Sequence, residues 1–147
     1  MTLKPIAALG ALLACSVPLL SQTPDARMTE KELRTFYFAS RSAYFPDQLP
    51  SNIEIKFVHN LMNDTIHKRV VAQTKCVREA DGTLSSCTIE LDYAYNNYQA
   101  GTEMTIYHEQ CHIKLWKMNL KLEDQHGPEF QGCMLDLAER GAFESRW

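Results

Sequence analysis

The feature that most constrains this chain is an H-E-x-x-H sequence at residues 108–112. The flanking pattern predicts a helix, on which residues four apart lie about 40° apart around the axis and about 6 Å apart along it. His108 and His112 can therefore direct two imidazoles at one point, with Glu109 close to the gap between them. A hydrolytic zinc site has this arrangement, in which two nitrogens bind the metal and a carboxylate assists water without binding it. The alternative is a helix whose histidines serve only packing or solvation.

A third histidine is available downstream. His126 follows His112 after thirteen residues. A catalytic zinc normally has three protein ligands and leaves its fourth position to water. Gly127 suits the N-cap and Pro128 the first position of a second helix, predicted over about residues 128–140. Packing of this helix against the first would bring His126 to the metal.

The sequences HEQCH at residues 108–112 and HGPEF at residues 126–130 resemble the SprT-like (Spartan) zinc metallopeptidases. The pattern of that family is HExxH, a spacer and then HGPEF at the start of a helix. The close match covers about residues 107–137, and the spacer is slightly shorter than is usual in the family. The resemblance implies an α+β, zincin-like fold. Together with the strand and hairpin signals described below, it predicts a small antiparallel β-sheet packed on a central HExxH helix with flanking helices. It also implies Zn²⁺ as the cofactor, His108, His112 and His126 as its ligands, and Glu109 as the general base.

The middle of the chain predicts the sheet. Apolar and polar residues alternate over residues 52–59, 67–78 and 87–95, as in half-buried strands. Asp81-Gly82 lies between the last two segments and is a strong hairpin signal. His59 and His67 fall around the first strand and its loop, and we expect them at the surface rather than on the metal.

Helix signals flank the sheet. Thr29 and Glu32 form a capping box for a helix over about residues 30–43. The HExxH helix is expected to begin at Thr102 as N-cap. Its polar stripe is narrow, which favours a central helix packed on most sides. The members of this stripe are Glu103, Gln110, Lys114 and Lys117.

Four cysteines fall within the predicted domain, two on the sheet and two on the helices. Cys76 and Cys87 are equidistant from Asp81-Gly82, so a hairpin there places them opposite each other. Cys111 lies on the HExxH helix and Cys133 on the helix after His126. Disulfides 76–87 and 111–133 would suit an oxidising compartment. The alternative is four buried free thiols.

The N-terminal residues 1–22 read as a leader, and residues 23–147 as the metallopeptidase domain. Lys4 is the only charge before an apolar run over residues 6–14, which is too short to span a bilayer comfortably and fits the apolar h-region of a secretory signal. Leu12 to Cys15 resembles a bacterial lipobox, which would attach Cys15 to a membrane through a lipid. An uncleaved anchor or an unstructured leader are the alternatives. We therefore expect an extracytoplasmic protein, whether periplasmic, lipid-anchored or secreted.

The expected activity is zinc-dependent hydrolysis of a polypeptide substrate. Tyr93, Tyr95 and Tyr107 are candidates for a further oxyanion donor. The formal net charge of −3 argues against broad nucleic-acid binding, so nucleic acid is not expected as a partner. Two alternatives stay open: a binding module that retains zinc without turnover, and an intracellular, DNA-associated protease of the SprT type.

Overall fold

A computed structural model describes residues 26–119 and 124–144 of the chain. The predicted leader and the lipidation at Cys15 lie outside the described residues. The fold is α+β, as expected. It contains the helices α1 (Glu30–Tyr44), α2 (Gln99–Lys117) and α3 (Pro128–Glu139), and the strands β1 (Ile53–Val58), β2 (Met62–Asn63), β3 (Lys68–Arg69), β4 (Ala72–Arg78) and β5 (Leu84–Asp92).

The main sheet is mixed, which corrects the expectation of an antiparallel one. Its strand order is β1-β5-β4, with β4 antiparallel and β1 parallel to β5. The chain leaves β1, passes through the small β2–β3 hairpin and enters β4 on the far side of β5. Alternation of apolar residues indicates that a segment is a strand. It does not indicate which strand lies next to it or whether the two strands are parallel. The parallel pair was therefore not predictable from the local pattern.

The β4–β5 hairpin places its cysteines as expected. Cys76 pairs directly with Cys87 in the register of the two strands. The connecting loop is longer than two residues, because the amide of Glu79 donates to the carbonyl of Thr83. Gly82 adopts a φ of 86°, a conformation that favours glycine. A bulge next to Arg78 absorbs the difference in loop length without changing the cysteine register.

Strand β5 ends at Asp92, earlier than the predicted residue 95. One carboxylate oxygen of Asp92 accepts the amides of Ala94 and Tyr95 and turns the chain, while the other accepts the amide of Leu61. Arg69 donates to both oxygens, and this bond holds the pKa of the buried Asp92 down at about 2. This network joins the loop after β1, the end of β3 and the end of β5.

Helix α2 begins earlier than the sequence suggested. Its N-cap is Tyr98, and the Thr102 hydroxyl lies inside the helix and donates to the Tyr98 carbonyl. The predicted polar stripe is also wrong in part, since Glu103 and Gln110 are both buried. Gln110 exchanges hydrogen bonds with the Ser40 hydroxyl of α1. A polar residue can thus face a neighbouring helix when it finds a partner there.

The other two helices follow their predicted caps. Thr29 and Glu32 form the capping box of α1, and Gly127 is the N-cap before Pro128 in α3. Helix α2 packs against both helices and against β4 and β5, so it is the central helix of the fold. Among the described residues, none of the helices combines the length and the hydropathy needed to cross a bilayer.

Candidate metal centre

Helix α2 presents two imidazoles on the same side. The Nε2 atoms of His108 and His112 lie 3.1 Å apart, one helical turn from each other. His112 is buried and His108 is partly buried. Burial lowers the pKa of each ring to about 4. Both rings are therefore neutral near pH 7, which is the form of histidine that binds metals.

His126 comes from the turn that precedes α3. Its backbone amide donates to the Asp124 carboxylate, and its carbonyl accepts from the Gln131 side chain one turn into the helix. The amide of Gly127 donates to the Asp124 carbonyl and closes the turn. These bonds fix the backbone on both sides of His126, although its side chain is exposed.

The three histidines converge on one point. The Nε2 of His126 lies 3.2 Å from that of His112 and 3.1 Å from that of His108. Three imidazole nitrogens on a tetrahedral metal at about 2.0–2.1 Å would be separated by about 3.3–3.4 Å. The observed separations are close to these values, and the donor set is one that zinc accepts. The three residues therefore form a group that can hold a metal ion.

Phe130 supports the whole triad and was not singled out from the sequence. Its buried ring lies 4.5–4.9 Å, between centroids, from the rings of His108, His112 and His126. Trp116 stacks on His112 from further along α2. Within the described part of the chain, the buried Nδ1 of His112 has no hydrogen-bond partner. Aromatic packing therefore orients this ring.

Glu109 lies beside the triad and contacts the sheet. Its side chain is buried, and one carboxylate oxygen accepts a hydrogen bond of 2.6 Å from the Thr74 hydroxyl on β4. Burial raises the pKa of Glu109 to about 7, against the lowering effect of the Thr74 bond. Glu109 also lines a cavity of about 480 Å³ together with His108 and His126. A substrate bound in this cavity would meet both the histidines and the carboxylate.

Thr74 is a site residue that the sequence did not reveal. The alternating pattern places it on the same face of the predicted strand as Val70, Ala72 and Cys76, which gives no indication of a role in the site. The only available signal was a hydroxyl among apolar neighbours. Its significance depends on β4 being an edge strand next to α2, which the structure shows.

Both predicted disulfides are formed. Cys76–Cys87 joins β4 to β5, and Cys111–Cys133 joins α2 to α3. The second links the helix that carries His108 and His112 to the helix that begins after His126. Two such pairs are typical of an oxidising, extracytoplasmic environment.

The remaining candidates lie elsewhere. His59 and His67 are exposed, as expected, and neither belongs to the histidine group. Tyr107 packs in an aromatic cluster with Phe36 and Tyr44, on the core side of α2. None of the three predicted tyrosines is among the described residues that line the cavity at the triad. The structure therefore gives no support to a tyrosine as oxyanion donor.

Comparison with known proteins gives one family. A family model described as the SprT-like family matches residues 33–145, which include every residue of the site described above. A search of curated proteins finds no significant match to the chain.

Proposed function

This chain belongs to the SprT-like family, and on that premise we propose that it is a zinc metallopeptidase that hydrolyses peptide bonds in polypeptides. The observation that carries the proposal is the convergence of three Nε2 atoms within 3.2 Å, beside the buried Glu109 on the wall of the same cavity. The test is hydrolysis of an unfolded substrate such as casein by the purified protein, with loss on chelation and recovery on addition of zinc.

His108, His112 and His126 would hold the ion. A zinc ion bound there supplies Lewis acidity, which acidifies a water molecule to a pKa of about 7 and polarises the scissile carbonyl. The contribution of this chain is to keep His108 and His112 neutral through burial, to orient all three imidazoles against Phe130, and to expose His108 and His126 to the cavity. The Cys111–Cys133 bond keeps the two ligand-bearing segments together.

Glu109 would act as the general base. It accepts a proton as the water oxygen forms a bond to the carbonyl carbon, and it donates that proton to the amine nitrogen as the carbon–nitrogen bond breaks. The products are a carboxylic acid and a free amine, so the carboxylate of Glu109 is regenerated. A zinc-containing binding module would have no use for a carboxylate at this position, which favours the enzyme.

Thr74 has a defined part in this mechanism. Its hydroxyl donates to one oxygen of Glu109, which leaves the other oxygen for the proton transfer. Thr74→Val keeps the side-chain shape but removes the donor, so we expect kcat to fall by roughly tenfold to a hundredfold, because a misplaced catalytic group is costly. Zinc content should not change. Steady-state kinetics on a fluorogenic peptide and metal analysis measure both.

The matched variant is Thr74→Ser, which retains the hydroxyl and should recover most of the lost kcat. Equal losses of kcat in Thr74→Val and Thr74→Ser would mean that the methyl group packs the strand and that the hydroxyl has no role. Wild-type kcat in Thr74→Val would contradict the positioning role.

We also propose that the protein is exported and holds both disulfides in its native compartment. The two cysteine pairs support this proposal, as does the charge-then-apolar order of residues 1–22. The acidic net charge favours polypeptide over nucleic acid as partner. An extracytoplasmic peptidase therefore accounts for more observations than an intracellular, DNA-associated one.

Intact-mass measurement on protein from its native host tests the compartment. We expect a mature chain that starts at or after Cys15 and is lighter than its reduced form by two hydrogen atoms for each of two disulfides. A lipid on Cys15 would add the mass of its acyl chains. A full-length chain in the cytoplasm with five alkylatable thiols, Cys15 included, would contradict export and restore the DNA-associated alternative.

A further inference from the structure

The cavity at the triad has a second wall that the proposed chemistry does not use. Besides His108, Glu109 and His126, the described lining consists of four apolar residues and one threonine. They are Val71, Ala72, Met104, Met134 and Thr105. The apolar residues come from three places, the start of β4, the first half of α2 and the middle of α3. We call these four apolar residues the apolar wall.

The side chains of the apolar wall carry no nitrogen or oxygen atom that could bond to a polar group of a substrate. The Thr105 hydroxyl already donates to the Gly101 carbonyl in its own helix. Apart from His108, His126 and Glu109, none of the described residues that line the cavity has an ionisable side chain. A charged or amide side chain placed there would lose water without gaining a partner, whereas an apolar one would lose unfavourable hydration.

The wall is also accessible from solvent. Val71 is 47% exposed, and Met104 and Met134 are both partly exposed. Met104 lies one helical turn before His108, so a group that contacts Met104 is adjacent to the reacting atoms. Methionine side chains are flexible and adapt to apolar groups of different shape. This composition favours a class of large apolar side chains over one particular residue.

From this arrangement we propose that the apolar wall binds a large apolar side chain of the polypeptide substrate, such as Leu, Ile, Met or Phe, next to the cleaved bond. The inference rests on the proposed peptidase function, because it assigns the wall to that substrate. It predicts that cleavage sites carry these residues at one constant position relative to the scissile bond, with a preference of at least about tenfold over Ser or Asp.

The first experiment maps every cleavage site in unfolded casein by mass spectrometry, for the wild type and for two variants of α3. Met134→Lys places a charge in the wall. Leu135→Lys is the matched control, since Leu135 is the next residue, is 58% exposed and does not line the cavity. We expect apolar enrichment in the wild type and in Leu135→Lys, and its loss in Met134→Lys. Val71→Lys repeats the test at an exposed residue if Met134→Lys does not fold.

The second experiment measures binding without turnover. The Glu109→Gln protein is titrated with two labelled peptides that differ only in Leu or Ser at one position, and fluorescence anisotropy gives each Kd. We expect the Leu peptide to bind at least about tenfold more tightly, and the difference to vanish when Met134→Lys is added.

The outcomes separate the inference from the proposed function. Cleavage without apolar enrichment, or equal Kd values for the two peptides, overturns the inference and leaves the peptidase intact. No cleavage by the wild type, combined with selective binding of the Leu peptide, overturns the peptidase and supports apolar recognition by the wall. A change of oligomeric state in Met134→Lys, with an unchanged cleavage pattern, overturns the inference and assigns the wall to contact between copies.

Discussion

Glu109→Gln is expected to lower the kcat for peptide hydrolysis by roughly 10²–10⁴-fold while zinc stays at its wild-type occupancy. Glutamine keeps the size of the side chain, and its carbonyl oxygen can still accept the hydrogen bond from Thr74. It cannot take a proton from water. The packing of α2 against β4 should therefore survive while proton transfer is lost. The measurements are kcat on a fluorogenic peptide and the zinc-to-protein ratio.

The control is Glu129→Gln, which removes an exposed carboxylate from the first turn of α3 close to His126. It should leave kcat nearly unchanged. Near-normal turnover in Glu109→Gln would remove Glu109 from the mechanism. Loss of both zinc and folded structure in Glu109→Gln would show instead that the carboxylate of Glu109 serves the fold.

His126→Ala is expected to lower zinc occupancy by well over tenfold, because it leaves only two protein ligands on the site. His126 is exposed and its backbone is held by bonds that alanine retains, so the fold should persist. The Cys111–Cys133 bond also keeps α3 on α2 in the variant. Metal analysis after dialysis against a weak chelator measures occupancy, and circular dichroism reports the fold.

A matched variant separates this effect from the general loss of a histidine. His59→Ala removes an exposed imidazole that is not part of the histidine group, and zinc occupancy should stay at the wild-type level. Full zinc occupancy in His126→Ala would exclude His126 as a ligand and leave the site with His108 and His112 alone. Such a result would also weaken the assignment of the cavity as the reaction site.

The candidate site was predictable from the sequence to the extent that it depends on local geometry. Helical periodicity relates His108, Glu109 and His112 whatever the rest of the chain does. The Gly127-Pro128 start places His126 just before a helix, and the structure brings it to the other two. The hairpin signal predicted the pairing of Cys76 with Cys87, although the loop is longer than two residues and the bulge beside Arg78 is what keeps that register.

What the tertiary structure decided is which distant segments meet. Strand β1 is parallel to β5, and nothing in its own alternation indicates this direction. Gln110 is polar, but it is buried because α1 supplies Ser40 as its partner. The contact of Thr74 with Glu109 exists because β4 is an edge strand beside α2, and Phe130 touches three histidines because α3 packs on that helix. Periodicity and turn residues act over a few residues, whereas these contacts depend on how the helices and the sheet pack, which only the folded chain determines.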